Sequence, residues 1–220
     1  MTKLLTKNAL IVFAKPPVAG LAKTRLIPAL GAAGAAAYHA KLVKHTLVNV
    51  VCDNRSGKLY ENKWDTHLWC SENKSHDFFL SCLSEFSVTL QEQSQGDLGE
   101  RMFHAMHFML KKYDKVCIIG CDCPVLDRNK ITEVFARLMS KNDVVVTPAE
   151  DGGYVLMAVK QQLMSEMFSS IQWGGADVFE RVLYNLRGLN LNPLIQPTLW
   201  DVDEPEDLNR QALAMLLPPA

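Results

Sequence analysis

The chain has 220 residues and a formal net charge of −1, with hydrophobic residues at 48% and charged residues at 21%. This composition is typical of one globular domain with a sizeable core, and the near-neutral charge argues against nucleic-acid or anionic-membrane partners. The six cysteines contain no Cys-x-x-Cys pair, which excludes the usual zinc spacing. We expect no signal peptide and no membrane span, because the N-terminus is polar and Pro16 interrupts the first apolar run. Thiols without a secretion signal predict a cytoplasmic protein.

The first apolar run, residues 10–14, shows no polar alternation and predicts a strand that is buried on both faces. A basic loop follows, with Lys15, Lys23 and Arg25 around Gly20, where glycine lets the backbone approach a ligand closely. A strand, a basic loop and a helix in succession are typical of a phosphate site at the carboxyl end of an α/β sheet. The loop matches neither the Rossmann fingerprint nor the P-loop, and for the loop alone a solvated basic turn is an equal alternative.

The rest of the chain predicts alternating helices and strands in a single α/β domain over residues 1–220. Helices are expected over residues 32–51, 76–86, 98–109, 128–140 and 172–186, and at the C-terminus after Pro205. Strands are expected over residues 66–70, 87–90, 116–120 and 143–148, with a return strand over 155–159, an extended edge over 193–200 and a polar loop over 53–63.

Acidic side chains follow apolar segments at two places. Asp122 comes directly after the buried strand 116–120, and Asp203 follows the segment 198–200 and precedes the terminal helix. If the sheet brings them together, their oxygens suit Mg²⁺ or Mn²⁺, which would take further ligands from substrate phosphates. The alternative for Asp203 is a helix cap, because acids are common at helix starts.

Two glycine-containing segments are further candidates. Gly96 and Asp97 precede the predicted third helix. Asp97 either caps free amides of that helix or faces the same ligand cleft as the basic loop. Asp151-Gly152-Gly153-Tyr154 forms the turn between two fully apolar strands, so the turn is attached to a buried sheet. We expect this turn to line the acceptor half of the cleft, since glycines allow a backbone to approach a ligand.

Five motifs together resemble the bacterial DUF2064 family. They are Lys15-x-Pro17-x-x-Gly20-x-x-Lys23-Thr24-Arg25, Gly96-Asp97-Leu98-Gly99-Glu100-Arg101-Met102, Gly120-x-Asp122-x-Pro124, Asp151-Gly152-Gly153-Tyr154 and Asp201-Val202-Asp203-x-Pro205-Glu206-Asp207-Leu208. The resemblance implies the GT-A fold of glycosyltransferases and nucleotide-diphospho-sugar transferases, a mostly parallel sheet with helices on both faces. Related enzymes include the guanylyltransferases of molybdenum cofactor and of phospholactate.

The resemblance also implies roles for individual residues. Lys23 and Asp122 are implied to be catalytic. Asp122, together with Asp203, is implied to bind a Mg²⁺ or Mn²⁺ ion. The residues implied to bind the nucleotide are Lys15, Gly20, Lys23, Arg25, Gly96 and Asp97. The chain departs from the family pattern at Cys121 in place of serine, at Gly174 and Gly175 in place of a Ser-Thr pair, and at Glu204 in place of threonine.

Three functions fit these residues. The first is metal-dependent glycosyl transfer from a nucleotide sugar to a small-molecule acceptor. The second is nucleotidyl transfer from an NTP to a phosphorylated small molecule with release of pyrophosphate, which the three cations of the basic loop favour. The third is nucleotide binding without catalysis, against which the presence of both Asp122 and Asp203 argues.

Overall fold

The computed structural model describes residues 7–51, 64–138, 141–160 and 163–214. Its centre is a seven-stranded sheet in the order β3-β2-β1-β4-β6-β5-β7, in which all neighbours are parallel except β6, which runs antiparallel to β4 and β5. The strands are β1 (Asn8–Ala14), β2 (Asp65–Cys70), β3 (Thr89–Glu92), β4 (Lys115–Ile119), β5 (Val144–Pro148), β6 (Tyr154–Lys160) and β7 (Pro193–Ile195). The helices are α1 (Ile27–Val50), α2 (Asp77–Glu85), α3 (Leu98–Leu110), α4 (Arg128–Arg137), α5 (Val178–Gly188) and α6 (Asp207–Ala214).

Helices cover both faces of the sheet, which confirms the predicted fold class. Side chains of α1, α2 and α4 pack on one face, represented by Leu47, Phe79 and Val134. Side chains of α3 and α5 pack on the other face, represented by Met106 and Leu186. The central strands β1, β4 and β5 are mostly apolar and buried, as a sheet with two covered faces requires.

Helix α1 contains a break and is the longest helix described. Gly31 adopts φ 69°, ψ 164°, so the regular part begins after it, where the sequence predicts the helix to start at residue 32. The stretch Thr24–Val50, which includes a 3₁₀ turn before α1, is long and apolar enough to cross a membrane by length and composition alone. One face of α1 packs in the domain core through residues such as Val43 and Leu47.

Several predicted boundaries differ from the structure, and one predicted segment lies outside it. The fourth helix ends at Arg137 and not at residue 140, and the strand at the edge ends at Ile195 and not at residue 200. The third strand begins at Thr89 and not at residue 87. The fifth helix begins at Val178 and not at residue 172, because residues 172–177 form a turn in which Gly174 has φ 86°. The loop predicted over 53–63 lies outside the described residues.

Candidate functional site

A cavity of about 450 Å³ opens at the carboxyl edge of the sheet, beyond the ends of β1 and β4. The turn between β5 and β6 lies at the same edge, since β5 runs parallel to β4. The predicted site residues that line the cavity are Lys15, Lys23, Arg25, Asp122, Asp151, Gly153, Tyr154 and Asp203. The sheet therefore brings the basic loop, both proposed metal ligands and the Asp-Gly-Gly-Tyr turn together.

Lys23 is at the centre of this cavity wall. Its Nζ lies 2.9 Å from Asp122 Oδ1 and 3.7 Å from Asp203 Oδ1, and it donates a hydrogen bond to the carbonyl of Val202. Burial favours the neutral amine, but the charges of Asp122 and Asp203 outweigh burial and raise the pKa of Lys23. Lys23 is therefore a buried, fully charged ammonium held between the two carboxylates.

The backbone builds this arrangement from three separate segments. Lys23 adopts the left-handed conformation with φ 50°, which is uncommon for a residue other than glycine. The amide of Val202 donates to the carbonyl of Asp122 at 2.8 Å, so the segment before α6 is fastened to the loop after β4. This bond places Asp203 beside Asp122 although the two are far apart in sequence.

Asp203 does not cap the terminal helix. Its carboxylate accepts a hydrogen bond from Arg25, whose Nη1 also lies 3.5 Å from Glu204 Oε1. Asp207, the first residue of α6, instead holds the segment before the helix, because its Oδ2 accepts from the amides of Asp203 at 3.0 Å and Glu204 at 2.9 Å. Among the described residues, no backbone amide donates to the Asp203 carboxylate, whose partners are the cations Arg25 and Lys23, so the helix-cap alternative for Asp203 is wrong.

Four carboxylates line the cavity, and they are Asp122, Asp151, Asp201 and Asp203. Burial together with the charges of Asp151 and Asp122 raises the pKa of Asp201 to about 7. Lys23 partly opposes this shift. The crowding of carboxylates generates a negative potential that a further cation would relieve.

The donor set fits Mg²⁺ or Mn²⁺ if phosphate and water complete the coordination. Asp122 and Asp203 offer hard oxygen donors, and their side chains are 40% and 36% exposed to the cavity and solvent. Among the described residues, no group of three or more His, Cys, Asp or Glu side chains is arranged to hold a metal by itself. Mg²⁺ is commonly bound by one or two carboxylates with substrate phosphates, so two carboxylates are sufficient here.

Gly96 and Asp97 have a clear structural role at the start of α3. Asp97 accepts from the amide of Glu100, and Glu100 accepts from the amide of Asp97, each at 2.9 Å, which is a capping box. A side chain at Gly96 would collide with Glu100 Oε2. Neither Gly96 nor Asp97 is among the described residues that line the cavity, nor is Gly20 or Gly152. Their nucleotide-binding or substrate-binding roles stay predictions.

The Asp-Gly-Gly-Tyr turn is fixed against the segment before α5. Gly152 has φ 89°, a Cβ added there would lie 1.9 Å from the carbonyl oxygen of Ala176, and its own carbonyl accepts from the amide of Phe179. Asp151 Oδ1 accepts from the amide of Gly153 at 2.8 Å and shapes the turn. Glycine is therefore required at Gly152 for close packing, while Asp151 and Gly153 reach the cavity.

Four further residues that line the cavity were missed by the sequence analysis: His39, Gln93, Arg101 and Trp173. His39 is buried in α1 and its Nε2 contacts the carbonyl of Lys15 at 3.1 Å. Trp173 packs on Gly99, where a Cβ would lie 2.5 Å from its ring. Gln93 follows β3 and Arg101 lies in the first turn of α3, so the rule that strand ends carry function could have found Gln93.

Two solved structures are similar over most of this chain. A protein from Desulfovibrio desulfuricans G20, provisionally assigned as a nucleotide-diphospho-sugar transferase, is 28% identical, with a TM-score of 0.80 over 93% of this chain and 85% of that one. A cytidylyltransferase from Leptospira borgpetersenii is 12% identical, with a TM-score of 0.60 over 97% and 89%. The second likeness shows the fold alone.

Sequence comparison gives one curated relative and one family. The 2-phospho-L-lactate guanylyltransferase of Methanothermobacter thermautotrophicus is 26% identical over 122 residues, 54% of this chain and 52% of that protein. The alignment thus spans about half the length of this relative. The family model described as "Uncharacterized protein conserved in bacteria (DUF2064)" matches residues 58–175, more than half of the 220 residues. The predicted resemblance is confirmed, and the chain belongs to the DUF2064 family.

Proposed function

We propose that this protein is a metal-dependent nucleotidyltransferase that joins an NTP to a phosphorylated small molecule and releases pyrophosphate. The observation that carries the proposal is the cluster of Lys23, Asp122 and Asp203 at the wall of the cavity. The relative named 2-phospho-L-lactate guanylyltransferase, with a phosphorylated acceptor, supports this class of reaction.

The charges of the site match a triphosphate. Lys15, Lys23, Arg25 and Arg101 line the cavity, although Lys23 and Arg25 are paired with carboxylates. With Asp122 and Asp203 engaged by a divalent cation, Lys23 and Arg25 are free to turn to phosphate oxygens. Arg25 would grip two oxygens at once, and Lys23 would act as a point charge.

The reaction is a substitution at the α-phosphorus of the NTP. An oxygen of the acceptor phosphate forms the new bond, the bond between the α-phosphorus and its bridging oxygen to the β-phosphate breaks, and pyrophosphate leaves with that electron pair. Lys15, Lys23 and Arg25 would stabilise the negative charge that grows on the leaving group. A metal ion held by Asp122 and Asp203 supplies further charge neutralisation when bound.

The acceptor belongs on the other side of the cavity. Asp151, Gly153 and Tyr154 lie at the β5–β6 side of the sheet, whereas Lys15 follows β1. We propose that the Asp-Gly-Gly-Tyr turn contacts the acceptor and that the nucleotide occupies the β1 side. This division keeps the α-phosphorus near Asp122, at the end of β4 between the two halves.

A binding panel followed by a product assay tests the function. Thermal unfolding is measured with GTP, CTP, ATP, UTP, UDP-glucose and GDP-mannose, each with and without Mn²⁺, because a ligand that binds the native state raises its stability. Release of pyrophosphate is then measured with 2-phospho-L-lactate as the first acceptor. We expect metal-dependent stabilisation by at least one NTP and pyrophosphate release with a phosphorylated acceptor. If none of the four NTPs stabilises the protein, the proposal is overturned.

Glycosyl transfer is the second candidate. The similarity to the Desulfovibrio protein assigned as a nucleotide-diphospho-sugar transferase favours it. The same panel separates the two reactions, because stabilisation by a nucleotide sugar without stabilisation by its NTP would favour glycosyl transfer.

A further inference from the structure

Arg101 is a cation of the cavity wall without a carboxylate partner among the described residues. Its Nη1 donates to Gln93 Oε1 at 2.8 Å and its Nε donates to the carbonyl of Asp97 at 3.3 Å. None of the ion pairs in the described parts of the chain includes it. A guanidinium has five N–H donors, so the remaining donors of Arg101 are available to a ligand in the cavity.

Gln93 fixes the direction of this guanidinium. The residue is 8% exposed, and its Nε2 donates to the carbonyl of Trp69 at 2.8 Å. This bond settles which end of the amide faces Arg101, because only the oxygen can accept from a guanidinium. Arg101 is thus held at two points, by a buried amide and by the first turn of α3, and its planar fork is oriented before any ligand binds.

The pair lies away from the phosphate side of the cavity. Gln93 follows β3, which is separated from β1 by β2, so it lies roughly 10 Å along the sheet edge from the end of β1 at the usual strand spacing. Lys15 and Lys23 follow β1, and Asp122 follows β4 on the far side of β1. A nucleotide with its phosphates at these residues and its length along the edge would direct its base towards Gln93 and Arg101.

We propose that Arg101, held by Gln93, recognises the nucleobase through two neighbouring acceptor atoms, and therefore selects guanine or cytosine over adenine and uracil. This inference rests on the proposed binding of an NTP. A guanidinium donates at both tips of its fork and accepts nowhere. Guanine offers O6 and N7 side by side, and cytosine offers O2 and N3. In adenine, the acceptors N1 and N7 each lie beside the N6 amino group, which is a donor. In uracil, the N3–H donor lies between the two carbonyls.

The test compares the affinities of GTP, CTP, ATP and UTP by calorimetry in the presence of Mn²⁺, for the wild type, Arg101→Lys, Gln93→Leu and Lys15→Met. We expect the wild type to bind GTP or CTP at least about tenfold more tightly than ATP and UTP, as bidentate recognition of a base allows. Arg101→Lys should remove most of this preference, because an ammonium cannot donate as a planar fork. Gln93→Leu should reduce the preference. Lys15→Met should weaken the binding of all four nucleotides but keep the preference.

Several outcomes would overturn the inference while leaving the proposed function intact. One is a wild type that prefers ATP or UTP, and another is an unchanged preference in Arg101→Lys. Equal losses for all four nucleotides in that variant would make Arg101 a phosphate ligand instead. A wild type that binds none of the four would overturn the proposed function itself. If GTP is the preferred nucleotide, 7-deaza-GTP, which lacks the N7 acceptor, provides a check on the unaltered protein and should bind about as weakly as ATP.

Discussion

The ammonium of Lys23 lies 2.9 Å from Asp122 Oδ1 and 3.7 Å from Asp203 Oδ1, so both carboxylates that we expect to bind a metal already share one cation. The side chain of Lys23 is only 6% exposed, so water screens these ion pairs weakly. A divalent cation must therefore compete with Lys23 for the same oxygens. When Lys23 turns to a phosphate, that competition ends, and metal and nucleotide should each strengthen the binding of the other.

Replacement of Lys23 should separate these two effects. In Lys23→Met, we expect Mn²⁺ alone to bind about tenfold more tightly, because a competing charge worth roughly 1.4 kcal/mol or more is removed. The same variant should bind NTP more weakly, since one phosphate contact is lost. Calorimetric titration with Mn²⁺, with and without NTP, measures both effects. The exposed Lys41 of α1 provides the matched control, Lys41→Met. Weaker binding of Mn²⁺ alone to Lys23→Met would contradict this account.

The two acids around the start of α6 should behave differently. Asp203→Asn should lose metal-dependent nucleotide binding while its unfolding free energy stays within about 1 kcal/mol of wild type, because asparagine is a poorer ligand for a hard cation. Asp207→Ala should lose about 1 kcal/mol of stability, since its carboxylate accepts hydrogen bonds from the amides of Asp203 and Glu204. Its binding of Mn²⁺ with nucleotide should remain. Mn²⁺ titrations and urea unfolding of both variants distinguish the roles, and normal metal-dependent binding by Asp203→Asn would exclude it as a ligand.

Much of this candidate site could be predicted from the sequence, because apolar runs show where the buried strands end. The apolar runs before Lys15 and Asp122 indicate strands buried on both faces, and parallel strands place their carboxyl ends at one edge. Asp203 was harder, because a capping acid and a metal ligand occupy similar positions in a sequence. The structure decides against the cap, because the Asp203 carboxylate is paired with Arg25 and, among the described residues, accepts from no backbone amide.

The residues that escaped prediction depend on tertiary contacts. Arg101 lies in a helix start that local rules explain fully through Asp97 and Glu100, and its direction depends on the buried amide of Gln93. Apolar spacing predicts too early a start for α5, because it shows no sign of the turn at Gly174 or of the hydrogen bond from the amide of Phe179 to the carbonyl of Gly152. Such contacts join segments that are distant in sequence, so periodicity alone does not reveal them.

The contact of Gly152 gives a sharp test of how the turn is held. Gly152→Ala should cost more than about 3 kcal/mol, because the new Cβ would lie 1.9 Å from the carbonyl oxygen of Ala176 in addition to the strain of φ 89°. Gly20→Ala is the matched control, since Gly20 has a similar φ of 83° and nothing within 4 Å of the added atom. It should cost about 1–2 kcal/mol. Urea unfolding measures both losses, and equal losses would show that the contact with Ala176 contributes nothing.

His39 should make the protein sensitive to acid. Burial lowers the pKa of His39 below its ordinary value of 6.5, an effect that the charge of Asp122 partly opposes. Its Nε2 contacts the carbonyl of Lys15, which only a protonated nitrogen can satisfy, so the neutral ring carries its hydrogen there. His39 therefore connects α1 to the start of the basic loop in its neutral form.

The sign of the pH dependence follows from the lowered pKa. Above pH 6.5 the folded and unfolded forms are both neutral at His39, and its contribution is fully present. As the pH falls from 6.5 through the lowered folded pKa, the unfolded chain takes up a proton first, so the unfolding free energy decreases. Between about pH 7.5 and about pH 5.5, wild type should therefore lose more stability than His39→Gln, in which this group does not titrate. The exposed His107 provides the control variant His107→Gln, which should follow wild type. His67, whose pKa burial also lowers, is present in all three proteins, and its contribution cancels in the comparison. Urea unfolding at the two pH values gives the difference, and parallel losses in wild type and His39→Gln would mean that His39 titrates normally in the fold.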